Sequence, residues 1–218
     1  MTKKIDWLNH GLEFAVVFIG ILIAFQLNKC AENSSREELL SNHMTYLEEE
    51  CQENLRRLEQ GVVHSTNQVA KADTLLQLIL ARGDVNQINR LAVSLLNLQD
   101  VDLQEEAFNV LTQSGDIRFL KDFGKKKAII SLYEAYHPVA HIDGSTKNLY
   151  DRHFYPYIKK HFDLVSWGGS IHADSSQEHY YSAELGNTIS TYRYLLDAKV
   201  RSYRRCQEKV KEYLAQKN

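Results

Sequence analysis

Phe14-Ala15-Val16-Val17-Phe18-Ile19-Gly20-Ile21-Leu22-Ile23-Ala24-Phe25 is an unbroken apolar run, and its surroundings decide the fold. Alone it is short for a membrane span, which needs ~20 residues. The flanks extend it. Trp7, Leu8, Gly11 and Leu12 precede the run and Leu27 follows it, so Trp7–Leu27 is long enough to cross a hydrocarbon core. The polar interruptions Asn9, His10, Glu13 and Gln26 sit near the ends, where side chains reach headgroups. Ala24-Phe25-Gln26 lacks the small residues of a signal-peptidase site, and Lys29 before Cys30 does not suit lipidation. The stretch therefore reads as an uncleaved anchor. Lys3 and Lys4 precede it and Lys29 and Arg36 follow it, a slight bias toward a cytoplasmic N-terminus.

One face of the anchor carries a pattern. At about 100° per residue, Glu13, Val17, Gly20, Ala24 and Leu27 share one stripe. Gly20-x-x-x-Ala24 is a small-xxx-small pair that lets two helix backbones approach. Glu13 has two readings: an interfacial carboxylate beside His10, or a polar group facing a partner helix or water.

Beyond the anchor the pattern is helical. Ser35-Arg36-Glu37-Glu38 is a capping box predicted to start a long helix. Its apolar positions, Leu40, Met44, Leu47, Cys51, Leu55, Leu58, Val62, Thr66, Val69, Ala72 and Leu76, recur every ~3.6 residues, the period of a bundle helix rather than a heptad coil. Glu48, Glu49, Glu50, Glu53, Arg56 and Arg57 read as its solvated face. Gly61 is a candidate kink. Gly83-Asp84 ends this helix and caps the next. Shorter helices follow around Leu103–Leu111 (Gly115 as C-cap) and after Asp122. Pro138 then breaks or kinks the pattern, which resumes near Ser145 and meets Pro156. Trp167-Gly168-Gly169-Ser170 reads as a loop and Ser175-x-x-Glu178 as a cap. A last long helix carries Ile189, Tyr192, Leu196, Val200, Tyr203, Val210 and Leu214. The expectation is an all-α chain: an N-terminal segment with a transmembrane anchor (1–34), then an antiparallel bundle with two long helices (35–218).

The anchor motif Gly20-Ile21-Leu22-Ile23-Ala24-Phe25-Gln26-Leu27-Asn28, the Leu47-x-x-Glu50 and Asn54-Leu55 that follow, and the later Phe108-Asn109-Val110-Leu111-Thr112-Gln113-Ser114-Gly115 resemble a group of uncharacterised bacterial single-pass membrane proteins. Those proteins share a GILIA-x-Q-x-N anchor, a domain of unknown function and an L-x-x-S-G signature. The resemblance implies the same architecture and no particular activity. Cys30 stands where an interfacial Trp is expected, which gains a crosslinkable thiol. The implied location is the bacterial inner membrane, single-pass, with the bulk of the chain periplasmic.

The residue inventory argues against several chemistries. The 26 basic and 28 acidic side chains nearly balance, so no nucleic-acid partner is expected. His137 and His141 have helical metal-ligand spacing, but Pro138 lies between them and no H-E-x-x-H glutamate is present. They and the scattered His153, His161, His172 and His179 read as surface residues. No P-loop, dinucleotide or G-x-S-x-G motif occurs. Cys51 reads as a small core residue, as does Cys206; a Cys51–Cys206 disulfide between the long helices is the alternative in an oxidising compartment. Tyr150, Phe154, Tyr155, Tyr157, Phe162 and Trp167 read as bundle core and rim, with a ligand pocket as the other reading. No catalytic residue, metal site or cofactor is expected. The expected function is that of a non-enzymatic, membrane-anchored interaction, sensor or scaffold protein. Its partners would be the lipid bilayer, further copies of itself and a membrane or periplasmic protein. The alternative is an oligomeric effector or pore component using the Glu13/Gly20/Ala24 face.

Overall fold

One helix organises the chain. In the computed structural model, which describes residues 7–164 and 177–216, α1 runs unbroken from Trp7 to Leu80, 74 residues. At ~1.5 Å per residue that is about 110 Å. The helix start predicted at Ser35 is not there, because α1 is already formed when it reaches Ser35. Asn28–Ser34 contains no Pro or Gly, and extending an existing helix costs far less than nucleating a second one. The boundary between residues 34 and 35 thus falls inside a helix. What changes nearby is packing: residues 11–39 are exposed, Leu40 is half-buried and Leu47 is fully buried. The exposed stretch has a window of mean hydropathy 1.9, and it is long and apolar enough to cross a membrane.

The second long helix, α7 (Ala183–Ala215, 33 residues), lies antiparallel to α1. Asp73 pairs with Arg193 at 2.9 Å and Glu59 with Lys211 at 3.6 Å, so rising numbers on one helix meet falling numbers on the other. Between them come α2 (Val85–Ser94), α3 (Glu106–Gln113), α4 (Phe123–Glu134), α5 (His137–Leu149) and α6 (Tyr155–His161). The described residues contain no strand, and the chain is all-α.

The caps follow the sequence closely. The Asp84 carboxylate accepts from the Asn86 N–H at 2.8 Å, and the Asp122 carboxylate accepts from Gly124 at 2.7 Å and from Lys125. Gly115, with φ of 76°, takes the left-handed conformation that closes α3. Ser182 caps α7 by accepting from the Leu185 N–H. Pro138 does not separate His137 from His141. It occupies the first turn of α5, where its missing N–H is no loss, and both histidines lie exposed on that helix. The helix therefore begins at His137 rather than near Ser145. Ahead of Pro156 the helix widens into a π-turn, Tyr150–Phe154, and α6 begins at Tyr155. The loop at Trp167–Ser170, His172 and the cap at Ser175 lie outside the described residues.

Two apolar cores line the α1/α7 pair. A proximal core, nearer the anchor, gathers Leu47, Cys51, Leu58, Leu111, Leu132, Tyr136, Cys206 and Val210. A distal core gathers Leu75, Ile79, Ile88, Leu95, Phe154, Ile158, Ile189 and Tyr192. The aromatic cluster divides accordingly. Phe154, Tyr157 and Phe162 are buried, Tyr150 is half-buried and Tyr155 is exposed. On α1 the buried stripe passes through Ser65 and Gln68 rather than Thr66, which is exposed. Gln68 reaches the Asn97 carbonyl at 2.7 Å, so polar pairing sets the burial there.

Candidate functional site

One face of the apolar N-terminal stretch has open space at its glycine. A Cβ built on Gly20 meets nothing within 4 Å, and Glu13, Val17, Ala24 and Leu27 share its exposure. Gly20 and Ala24 are both exposed and together offer a shallow surface on which another helix can lie. Cys30 is exposed just beyond it. Cys51 and Cys206 are both free and buried in the proximal core. Burial and the neighbouring Glu50 push the Cys51 thiol up to about 12, and burial pushes Cys206 up to about 12. Both are protonated, poorly nucleophilic thiols at neutral pH.

The densest polar chemistry lies where the two cores meet, around the irregular segment 96–105. Lys199, on α7, has a side chain with no solvent exposure. Its ammonium donates to the Gln99 carbonyl at 2.8 Å and the Asp100 carboxylate at 2.7 Å, and it pairs with Asp143 at 3.2 Å. Asp143, on α5, also accepts from the Tyr203 hydroxyl at 2.5 Å and from the Val101 N–H at 3.0 Å. Burial pushes the Asp143 carboxyl up, while Lys199, Tyr203 and the Val101 N–H pull it back down. Asn54 continues the pattern one level closer to the anchor. Its amide donates to the Gln104 carbonyl and accepts from the Gln104 N–H, each at 2.8 Å. Arg57 donates to the Asp102 carbonyl and Tyr150 to the Leu96 carbonyl. A segment without regular structure thus finds side-chain partners for its backbone groups.

Glu50 extends the same logic to α3. The sequence places it on the solvated face, yet it is 3% exposed. Its carboxylate accepts from the Ala107 N–H at 2.8 Å and from the Tyr133 hydroxyl. An acidic side chain on α1 therefore satisfies an orphan donor at the N-terminus of α3, where the helix dipole favours it.

No motif signals Lys199, and Glu50 is marked only as part of the Leu47-x-x-Glu50 that carries the resemblance, which says nothing of its burial. Lys199 does have a retrospective signal. It sits three residues after Leu196 and four before Tyr203, on the apolar stripe of α7. Glu50 likewise precedes Asn54 by four, on the face beside Leu47 and Cys51. These clusters are sealed by side chains that already satisfy one another, so they hold the bundle rather than present a reactive group. No group of three or more metal-ligating side chains occurs among the described residues.

An open surface feature does lie at the anchor end of the bundle. Met44, Glu48, Leu120, Lys125, Tyr213 and Leu214 line a groove of about 290 Å³ with an apolar floor and a charged rim. It is bordered by the turn between α3 and α4 and by the end of α7. No protein-family profile matches the chain, and no curated protein and no solved structure matches it either.

Proposed function

We propose that the chain is a membrane-anchored helical scaffold or sensor, non-enzymatic and self-associating, in which α1 couples events in the bilayer to the bundle. The observation that carries this reading is the continuity of α1. The same unbroken helix is exposed over residues 11–39 and forms the central packing partner of the bundle from Leu47 onward. A helix without an interruption has no soft joint, so rotation or displacement of the anchor is transmitted to the proximal core. The open Gly20/Ala24 face supports association through a second copy. In this proposal the chain crosses the bacterial inner membrane once, N-terminus inside and bundle in the periplasm. It belongs with the single-pass proteins whose anchor signature it resembles. A membrane or periplasmic protein is the further partner.

Crosslinking tests this directly, because Cys30 is exposed while Cys51 and Cys206 are buried. A bifunctional maleimide added to native membranes should yield a discrete dimer or small oligomer that vanishes in Cys30→Ser. Replacing both Gly20 and Ala24 with Leu should weaken it several-fold. A wild-type chain that remains monomeric at all expression levels would remove self-association from the proposal.

The pore reading rests on Glu13, a carboxylate on the same face of the apolar helix. It requires conductance in planar bilayers and a change in that conductance in Glu13→Gln. If neither is seen, the tether reading stands alone.

A further inference from the structure

The turn between α3 and α4 lies at the end of the bundle nearest the anchor. Three contacts with α1 fix its height. Asp116 meets His43 at 3.2 Å, Arg36 lies 4.9 Å over the Phe119 ring, and Lys121 pairs with Glu37 at 2.9 Å. Counted along α1 at ~1.5 Å per residue, Glu37 stands about 15 Å beyond Leu27, the last apolar residue of the span. The headgroup layer accounts for about 5–8 Å of that rise. Lys125 stands further out, beside Met44 and Thr45 of α1 and so about 10–12 Å beyond Glu37, and a lean of α1 toward this face is what brings its side chain to the phosphates.

The tip is basic and carries an aromatic at its apex. Gly115–Ala128 contains five basic side chains against two acidic ones. Both acids are already engaged: Asp116 with His43, and Asp122 with the N–H groups of Gly124 and Lys125. Neighbouring acids on α1 and α7 are matched too, Glu32 by Arg36, Glu37 by Lys121 and Glu212 by Lys209. Lys125, Lys126 and Lys127 form no ion pair among the described residues, and Lys125 and Lys127 are exposed. Phe123, the first residue of α4, is 78% exposed, the most exposed aromatic ring among the described residues. A bare ring beside unpaired lysines is the composition that inserts at a bilayer interface, the ring at the acyl boundary and the ammoniums at phosphates.

We infer that this tip docks on anionic phospholipid headgroups of the same bilayer the chain crosses, with Phe123 at the interface and Lys125–Lys127 on the phosphates. The inference rests on the anchoring proposed above, which supplies the proximity. It gives α1 a second attachment beside the span, so the bundle stands at a defined angle to the membrane. Binding depends on the lipid composition of that leaflet. Screening by salt weakens it, because the contact is made at an exposed surface.

The test uses the full chain reconstituted into vesicles of phosphatidylcholine alone or with phosphatidylglycerol. Flotation after an alkaline wash checks anchoring first. Amine-reactive footprinting then reads the modification rate of each lysine by mass spectrometry. The expected result is a roughly ten-fold slower rate at Lys125 and Lys127 in the anionic vesicles, reversed at high salt. Lys71 and Lys159, on the distal half of the bundle, should not change. Amide exchange at residues 122–128 should slow in parallel, and the slowing should disappear in K125E/K126E/K127E. That variant alters residues that are exposed or half-buried and leaves both cores intact. A chain that floats but shows equal lysine rates in both lipids overturns the docking while leaving the anchor standing. A chain that does not float overturns both.

Discussion

Replacing Lys199 with Met tests whether the polar layer between the two cores is a stabilising clamp. The change keeps the stem of the side chain and removes the charge. Three acceptors lose their donor: the Gln99 carbonyl at 2.8 Å, Asp100 at 2.7 Å and Asp143 at 3.2 Å. Asp100 is 39% exposed and rehydrates, so its share is small after solvent screening. Asp143 is 8% exposed and keeps only the Tyr203 hydroxyl and the Val101 N–H. Breaking a buried pair in this way costs about 3–5 kcal/mol. The loss has a defined pH dependence. Burial already raises the Asp143 carboxyl above its ordinary value, and without Lys199 it rises further. A carboxyl raised in the folded state contributes most below its unfolded value and loses that contribution as pH climbs through the folded one. Lys199→Met should therefore lie closest to the wild type in acid and furthest from it at neutral pH. Asp143→Asn in the same background should recover about 1–2 kcal/mol, because its amide oxygen still accepts from Val101 without a buried charge. The assay is urea unfolding in a non-ionic detergent followed by circular dichroism. A loss under about 1 kcal/mol at neutral pH, or equal effects of Asp143→Asn with and without Lys199, would refute the clamp.

Two other substitutions and two measurements on the cysteines bear on the packing. Gly61→Ala should destabilise by about 1–2 kcal/mol although Ala is the better helix former: the new Cβ would lie 2.3 Å from Val101 Cγ2 and 2.9 Å from Tyr203 Cε2. A rise in the urea midpoint would show that the connector yields freely. Glu50→Leu should cost about 2–4 kcal/mol by orphaning the Ala107 N–H and the Tyr133 hydroxyl, with faster amide exchange at Ala107 as the specific sign. Thiol reagents at pH 8 should modify Cys30 at once and Cys51 and Cys206 only on unfolding, for a total of three; a total of one would mean that the buried pair is bonded. Both buried thiols are raised from 9.0 to about 12, so their contribution is complete below pH 9 and is lost toward pH 12. The urea midpoint should fall across that window.

The helices and their ends were largely legible because their signals are local. A capping carboxylate at Asp84 or Asp122 bonds the backbone two residues on, and Gly115 turns left-handed where a Cβ would be strained. Ser35 shows the limit of local reading. Its box has the right residues, but the preceding segment is already helical, and nothing within four residues reveals that. Pro138 misleads in a similar way, since its cost depends on whether a helix starts or continues there. Glu50 and Lys199 were hidden for another reason. A charged residue is assumed to face water, and only the arrival of Ala107, Tyr133, Asp143 and segment 99–101 from distant parts of the chain makes their burial tolerable.

Sequence alone determined the all-α character, the apolar N-terminal helix and the apolar stripes of the two long helices. Each follows from periodicity and residue chemistry within a turn or two, which needs no knowledge of the partner. Tertiary structure alone decided that the apolar N-terminal stretch and the bundle share one unbroken helix. It also split the packing into two cores and closed the seam between them with Lys199, Asp143 and Asn54 around an irregular segment. The physical reason is that burying a charge or an amide is favourable only when its complement is delivered, and residues 42 to 100 positions away deliver it here.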